Sequence, residues 1–154
     1  MLNAVFINPP DVFSRVFPFG FSQVISIAKS CGFNVILIDL NNQKNTQMLM
    51  EETTARIVSI QPQIVGFTGF SIHFKFIKEL SNLLKNRCPS TLLIGGGYWC
   101  RWSPEFALRS TKCDIIINGE AEYPFREFCK QFPSYYNIKG ISYKRNDTII
   151  RGTP

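Results

Sequence analysis

The feature that most constrains this chain is a set of short apolar runs spaced along its length. Each run is apolar almost throughout, which is typical of parallel strands that are covered on both faces. The segments between them carry the three- and four-residue spacing of amphipathic helices. The predicted strands are 3–7, 34–38, 63–67, 91–94 and 114–117, and the predicted helices are 20–30, 46–60, 73–86, 104–110 and 123–130.

This alternation predicts a βαβ protein, because parallel strands need long crossover connections. We expect an α/β fold with a doubly wound, five-stranded parallel sheet in the flavodoxin-like order 2-1-3-4-5. After the fifth helix, GISY at 140–143, a polar turn at 144–147 and TIIR at 148–151 predict a β-hairpin. The hairpin either joins the sheet edge or leads out of the domain. We therefore divide the chain into an α/β domain, 1–135, and a hairpin with an exit segment, 136–154.

Composition excludes several classes of function. The net charge is +6, but no basic run exceeds the Lys144-Arg145 pair, which argues against nucleic-acid binding. The five cysteines lie at least 12 positions apart, so the sequence has no CxxC or CxxxCxxC cluster for zinc or an iron–sulfur centre. No stretch approaches the ~18 apolar residues of a membrane span, and no signal peptide is evident. We expect a cytoplasmic protein with reduced thiols and no membrane partner.

In this architecture a ligand lies at the carboxyl ends of the strands, near the switch point between the first and third. The candidate ligand-binding residues follow four strands: Asn8, Pro9 and Pro10, then Thr68, Gly69 and Ser71, then Gly95, Gly96 and Gly97, then Gly119 and Glu120. On folding, each of three consecutive glycines costs roughly 0.5–1 kcal/mol in conformational entropy. A ligand is therefore expected to lie against that backbone. Neither GxGxxG nor GxxxxGK[ST] occurs, which disfavours a dinucleotide site and a P-loop.

An ordered set of motifs resembles the cobalamin-binding domain that precedes the catalytic core of many radical S-adenosylmethionine enzymes. The set covers nearly the whole chain: NPP at 8–10, FPFGF at 17–21, GFNV at 32–35, IDL at 38–40, PQIVGFT at 62–68, IGGG at 94–97 and GEAE at 119–122. The resemblance implies cobalamin as the cofactor. It implies that Thr68 bonds the dimethylbenzimidazole tail and that Gly95 and Gly96 leave room for that nucleotide.

The wider cobalamin motif DxHxxG falls on residues 15–20, where only Gly20 matches, and the resemblance adds Gly20 to the candidate cofactor-binding residues. Arg15 and Phe17 stand in the places of Asp and His, so this loop supplies no imidazole to cobalt. Radical members commonly lack that histidine as well. The lone histidine, His73, is either a cobalt or corrin contact or a polar residue at the start of a helix, and we favour the second.

The resemblance implies a module that presents the corrin to a radical S-adenosylmethionine catalytic domain, in cis or in trans. That domain would hold S-adenosylmethionine and a 4Fe-4S cluster, and it is missing here, so we assign no catalytic residue and no protein metal ligand. A second hypothesis is a docking domain that has lost the cofactor, since Phe17, Phe19 and Phe70 are bulky. A third is a small enzyme that binds a nucleotide or flavin in the same crevice.

Two further groups have two interpretations each. Glu120 and Glu122 could act as a general acid and base, but we favour stabilisation of a helix N-terminus. Tyr98, Trp99 and Trp102 either wall a planar ligand or belong to the core.

Overall fold

A computed structural model describes residues 1–13 and 17–153. The strands are β1 (Asn3–Asn8), β2 (Asn34–Asp39), β3 (Ile64–Phe67), β4 (Leu92–Gly95), β5 (Ile115–Ile117), β6 (Ile141–Arg145) and β7 (Thr148–Ile150). The helices are α1 (Phe19–Ser30), α2 (Gln47–Ile60), α3 (Phe74–Arg87), α4 (Tyr98–Arg101), α5 (Pro104–Ser110) and α6 (Glu122–Gln131), and a 3₁₀ turn, Ser71–His73, precedes α3.

All seven strands form one sheet in the order β2-β1-β3-β4-β5-β6-β7. The pairs from β2 to β5 are parallel, which confirms the doubly wound α/β fold and the order 2-1-3-4-5. The hairpin joins the sheet edge, because β6 runs antiparallel to β5 with Ile117 opposite Ile141. β6 therefore begins at the end of the sheet where β5 finishes.

The core has one apolar layer on each face of the sheet. On one face α1 and α6 cover Ala4 and Phe6 of β1, and on the other α2, α3 and α5 cover Val5 and Ile7. The alternation follows from the two-residue period of a strand. Full burial of each large apolar side chain contributes about 1.5–3 kcal/mol.

The hairpin turn is tighter than the sequence predicts. Lys144 and Arg145 lie in β6, and the turn consists of Asn146 and Asp147, with φ of 47° and 62°. Two consecutive residues with positive φ are typical of the two-residue turn that matches strand twist, and Asn and Asp tolerate that conformation. The polar character of residues 144 and 145 reflects an exposed strand end.

Two short elements are absent from the sequence prediction: the 3₁₀ turn and the single-turn helix α4. Each is too short to show a helical period. Within the described ranges, no helix is long and apolar enough to cross a membrane.

Candidate functional site

A crevice of about 300 Å³ opens at the carboxyl ends of the strands, on the face that α1 and α6 cover. Its floor is aromatic. Phe6 of β1 makes edge contacts with Phe21 of α1 and Phe125 of α6, at centroid distances of 5.7 and 5.9 Å. Ile94 of β4 and Ile117 of β5 also line the crevice. The floor therefore offers an apolar surface between the two helices.

The loops after β3 and β4 form one wall and hold each other. The Gly96 amide donates to the Phe67 carbonyl at 2.9 Å, and the Trp99 amide donates to the Gly69 carbonyl at 3.2 Å. At Gly97 φ is +91°, and a Cβ there would lie 3.0 Å from the backbone N and O of Gly69. Gly97 is thus required by its conformation and by the close approach of the two loops.

Two crevice glycines have no such requirement. Among the described residues, a Cβ at Gly20 would meet no atom within 4 Å, and one at Gly96 would meet only the Phe67 carbonyl oxygen at 3.9 Å. Both residues line the crevice. Gly95 differs, because its Cβ would lie 2.6 Å from Ile116 Cδ1 and from Trp99 Cζ2, in the core on the other face of the sheet. The fold explains Gly95, whereas it leaves Gly20 and Gly96 unexplained.

The mouth of the crevice carries an ion pair and exposed rings. Arg101 of α4 lies 3.6 Å from Glu120 in the loop after β5. The Arg101 guanidinium also lies 5.8 Å from the Tyr98 ring centroid and 5.7 Å from that of Trp102. Tyr98 in turn stacks on Phe70 at 5.5 Å. The ion pair is largely exposed, so it orders the rim more than it stabilises the fold.

Of the three aromatic residues predicted beside the glycine run, two lie at the mouth of the crevice and one lies in the core. Tyr98 and Trp102 are 56% and 80% exposed, whereas Trp99 is buried and packs near Phe74 at 6.2 Å. Glu122 is the first residue of α6, where a carboxylate stabilises the exposed amides of the first turn.

The structure brings seven of the twelve predicted site residues together. The residues that line the crevice are Gly20, Thr68, Gly69, Gly96, Gly97, Gly119 and Glu120, and those that do not are Asn8, Pro9, Pro10, Ser71 and Gly95. Asn8 is buried and ties β1 to β2, because its side-chain amide donates to Asp39 at 2.8 Å. Ser71 is exposed at the start of the 3₁₀ turn. Arg15, in the DxHxxG place, lies outside the described residues.

Sequence reasoning missed the crevice floor and Arg101. The prediction considered only the loops after the strands, although the two-residue period of β1 places Phe6 on the face of Ala4 and opposite that of Val5. That period was an available signal for Phe6. Nothing in the sequence singled out Arg101, whose position depends on the unpredicted helix α4.

His73 is buried behind the β3 loop and is 6% exposed. Its Nδ1 accepts the Phe70 amide at 2.9 Å, and its Nε2 lies 3.5 Å from Asp11 Oδ2. Burial lowers the pKa of His73, and the nearby Asp11 carboxylate opposes that shift. Both ring nitrogens face protein groups, which favours a structural role over metal ligation. Across the described part of the chain, no group of three or more His, Cys, Asp or Glu could hold a metal ion.

The family model of the B12 binding domain matches residues 11–129. Among curated proteins, the chain is 26% identical over 98 residues to 2-(S-pantetheinyl)-carbapenam-3-carboxylate methyltransferase of Streptantibioticus cattleyicolor, which covers 60% of this chain. It is 24% identical, over the same share of its length, to the cobalamin-dependent radical SAM methyltransferase TokK of Streptomyces tokunonensis. The chain spans 14% of each of these relatives.

Two solved structures share the fold. The radical S-adenosylmethionine methyltransferase TsrM from Kitasatospora setae, with cobalamin and a [4Fe-4S] cluster bound, has a TM-score of 0.75 at 16% identity, over 100% of this chain and 29% of TsrM. The cobalamin-dependent S-adenosylmethionine radical enzyme OxsB, with aqua-cobalamin and S-adenosylmethionine bound, has a TM-score of 0.75 at 20% identity, over 99% of this chain and 22% of OxsB. At these identities the likeness establishes the shared fold.

Proposed function

The chain belongs to the B12-binding domain family, and from that premise we propose that its crevice holds the nucleotide tail of cobalamin for a radical S-adenosylmethionine enzyme. The observation that carries this proposal is the pair Gly20 and Gly96. Both line the crevice, and neither is required to be glycine by packing. A ligand that fills the space above them supplies the missing reason.

The residues present fit the tail of the cofactor. A volume of about 300 Å³ lies at the lower end of small-molecule pockets, which suits one flat group better than a whole corrin. The edge-packed rings of Phe6, Phe21 and Phe125 provide an apolar floor for an aromatic base. Thr68 adds a hydroxyl at the wall.

We assign contacts with the cofactor to the residues that line the crevice. Thr68 would hydrogen-bond the dimethylbenzimidazole tail, and Gly20 and Gly96 would leave room for it. Gly69, Gly97, Gly119 and Glu120 would border it along the wall and mouth. The five predicted residues that do not line the crevice would support it from the strand ends and from the loops after β1 and β3: Asn8, Pro9, Pro10, Ser71 and Gly95.

Bound cobalamin would supply a cobalt ion to the catalytic domain, which would itself hold S-adenosylmethionine and a 4Fe-4S cluster. Both curated relatives are methyltransferases and are much longer than this chain. A catalytic domain in cis, joined through Gly152 and Thr153, would begin beside the crevice. The Gly152 carbonyl accepts from Asn118 at 2.9 Å, and the Thr153 carbonyl accepts from the Gly140 amide at 2.7 Å. Asn118 directly follows β5.

The docking alternative predicts a hydrophobic surface around the bulky phenylalanines and no open crevice. Phe19 and Phe70 are 77% and 49% exposed, which meets the first condition, but the crevice between α1 and α6 is open, which does not meet the second. The geometry therefore favours the cofactor-binding proposal. We also place the module in the cytoplasm, since all five cysteine thiols are free.

The test is a titration of the 154-residue chain with hydroxocobalamin and, separately, with cobinamide, which lacks the nucleotide tail. We expect the absorption spectrum of cobalamin to change with one-to-one stoichiometry, and we expect cobinamide to bind more weakly. Absence of any cobalamin complex would refute the proposal. Equal affinity for the two compounds would refute the assignment of the crevice to the tail.

A further inference from the structure

The wall of the crevice rests on a buried imidazole. The Phe70 amide donates to His73 Nδ1 at 2.9 Å, which fixes the end of the segment Thr68–Phe70. The ring also lies against Gly69, where a Cβ would come within 2.8 Å of Nδ1. The Gly69 carbonyl in turn accepts the Trp99 amide. One side chain thus supports the loop after β3 and, through it, the loop after β4.

The other edge of the same ring faces the first loop. His73 Nε2 lies 3.5 Å from Asp11 Oδ2, and the two side chains are 7% and 9% exposed. Asp11 follows β1 and His73 follows β3, the two strands that flank the switch point of the sheet. The imidazole therefore lies between the two loops where this fold binds its ligands.

We propose that His73 is a positioning residue for cofactor binding: as a neutral imidazole, it holds the Thr68–Phe70 wall of the crevice in its binding geometry. This inference rests on the cobalamin-binding function proposed above. His73 does not itself line the crevice, so it acts through the backbone that it holds.

The hydrogen bond dictates the protonation state. Because Nδ1 accepts the Phe70 amide, the single proton of the neutral ring is on Nε2, which faces Asp11. Protonation would turn Nδ1 into a second donor opposite an amide donor, and the wall would lose its support. Among the described residues of the first loop, Asp11 is the charged group that faces the ring. On α3, Lys75 and Glu79 pair with each other at 4.0 Å and are exposed.

Three substitutions separate the two edges of the ring. In His73→Asn the side-chain oxygen is as many bonds from Cβ as Nδ1 is, so the acceptor is kept and the contact with Asp11 is lost. In His73→Gln the terminal amide is as many bonds from Cβ as Nε2 is, so the Nδ1 acceptor is lost. His73→Ala removes both. Asparagine is therefore the matched rescue of the bond to Phe70, and glutamine is its control.

The experiment measures the Kd of hydroxocobalamin for the whole chain and its three variants, from pH 5 to pH 8, with the melting temperature of each. We expect His73→Ala and His73→Gln to weaken binding at least about fivefold at pH 7.5, since each leaves the partly buried Phe70 amide without its acceptor. We expect His73→Asn to stay within about threefold of wild type on the same scale. Wild-type affinity should fall on the acid side, where the ring gains a proton, and His73→Asn should lack that fall.

Three results would overturn the inference. One is wild-type affinity in His73→Ala. Another is an equal loss of cobalamin affinity in all three variants that parallels the fall in their melting temperatures, since this would show a role in stability alone. The third is the same acid fall in His73→Asn as in wild type. A wild-type chain that binds no cobalamin would instead overturn the proposed function itself, so the two failures are distinguishable.

Discussion

Alanine substitution at Gly96 and at Gly97 separates a glycine kept for a ligand from a glycine kept for the fold. The two residues are adjacent in the loop after β4, and both line the crevice. The chemical change is the same methyl group in each case. The surroundings differ, because a Cβ at position 96 has no neighbour closer than 3.9 Å, whereas one at position 97 lies 3.0 Å from two Gly69 backbone atoms.

The expected loss of stability follows from these distances. At Gly97 φ is 91° and ψ is −174°, a region almost confined to glycine, where another residue costs about 1–3 kcal/mol. The contact with Gly69 adds to this, so Gly97→Ala should lower the free energy of unfolding by at least about 2 kcal/mol. Gly96→Ala meets neither problem, and we expect its free energy of unfolding to lie within about 0.5 kcal/mol of wild type.

The loss of cobalamin affinity is expected even in the variant that keeps its stability, Gly96→Ala. If the cofactor tail fills the space beside Gly96, the added methyl overpacks the complex by about 1–3 kcal/mol, or about 5- to 150-fold in Kd. Urea unfolding of the free protein gives the stability, and absorption titration with hydroxocobalamin gives the affinity. Gly96→Ala should thus be a stable protein that binds poorly, and Gly97→Ala should lose stability as well as affinity.

Two results would refute this reasoning. Wild-type affinity in Gly96→Ala would show that no ligand group approaches that face of the backbone. A loss of stability in Gly96→Ala as large as in Gly97→Ala would show that packing explains both glycines. Gly20→Ala repeats the test from α1, because its Cβ also meets no atom of the described chain within 4 Å.

Three further predictions concern single side chains. Thr68→Val keeps the shape but loses the hydroxyl, so cobalamin affinity should fall about fivefold to tenfold while cobinamide affinity stays constant; equal losses for both would contradict the tail contact. Asn118→Ala removes the side-chain amide that donates to Ser142 Oγ and to the Gly152 carbonyl, both at 2.9 Å. Urea unfolding should show a free energy of unfolding lower by about 1–3 kcal/mol. No measurable change would contradict a structural role for this network. Because burial lowers the pKa of His73 in the folded state, its stabilising contribution is complete above the unfolded pKa of 6.5 and is lost as the pH falls below it, by at most about 1.4 kcal/mol per pH unit. Urea unfolding between pH 5 and pH 8 should show this decline in wild type and not in His73→Asn, and identical profiles would contradict it.

The sheet was predictable because its strands are buried on both faces. Continuous apolar runs separated by helix-length segments leave few topologies open once crossovers are right-handed. The helix predicted at 104–110 has the observed bounds of α5, Pro104–Ser110, since a proline near the start and a polar end mark it. The 3₁₀ turn and α4 lacked any such signal, although they place His73 and Arg101.

The contacts that hold the crevice together were beyond sequence reasoning. Asp11 and His73 are 62 positions apart. They come together only because β1 and β3 are parallel neighbours whose carboxyl ends lie at the same edge of the sheet. Trp99 presents a similar problem. Its position beside a glycine run is compatible with a ligand wall, but the ring turns into the core against Gly95 and Phe74. The direction of this ring is set by the single-turn helix α4, which is too short to show a helical period in the sequence.

The glycine run shows how one sequence motif can contain three physical requirements. Gly95 leaves space for Ile116 and Trp99 within the core, Gly97 adopts a backbone conformation open mainly to glycine, and Gly96 has room for a side chain that the sequence does not use. A motif treated as one unit assigns all three to the ligand. Only the residue that the fold does not constrain can report on the ligand, because loss of binding at the other two would also follow from damage to the fold. Gly96 is therefore the position in this run where a change in cobalamin affinity can be attributed to the cofactor.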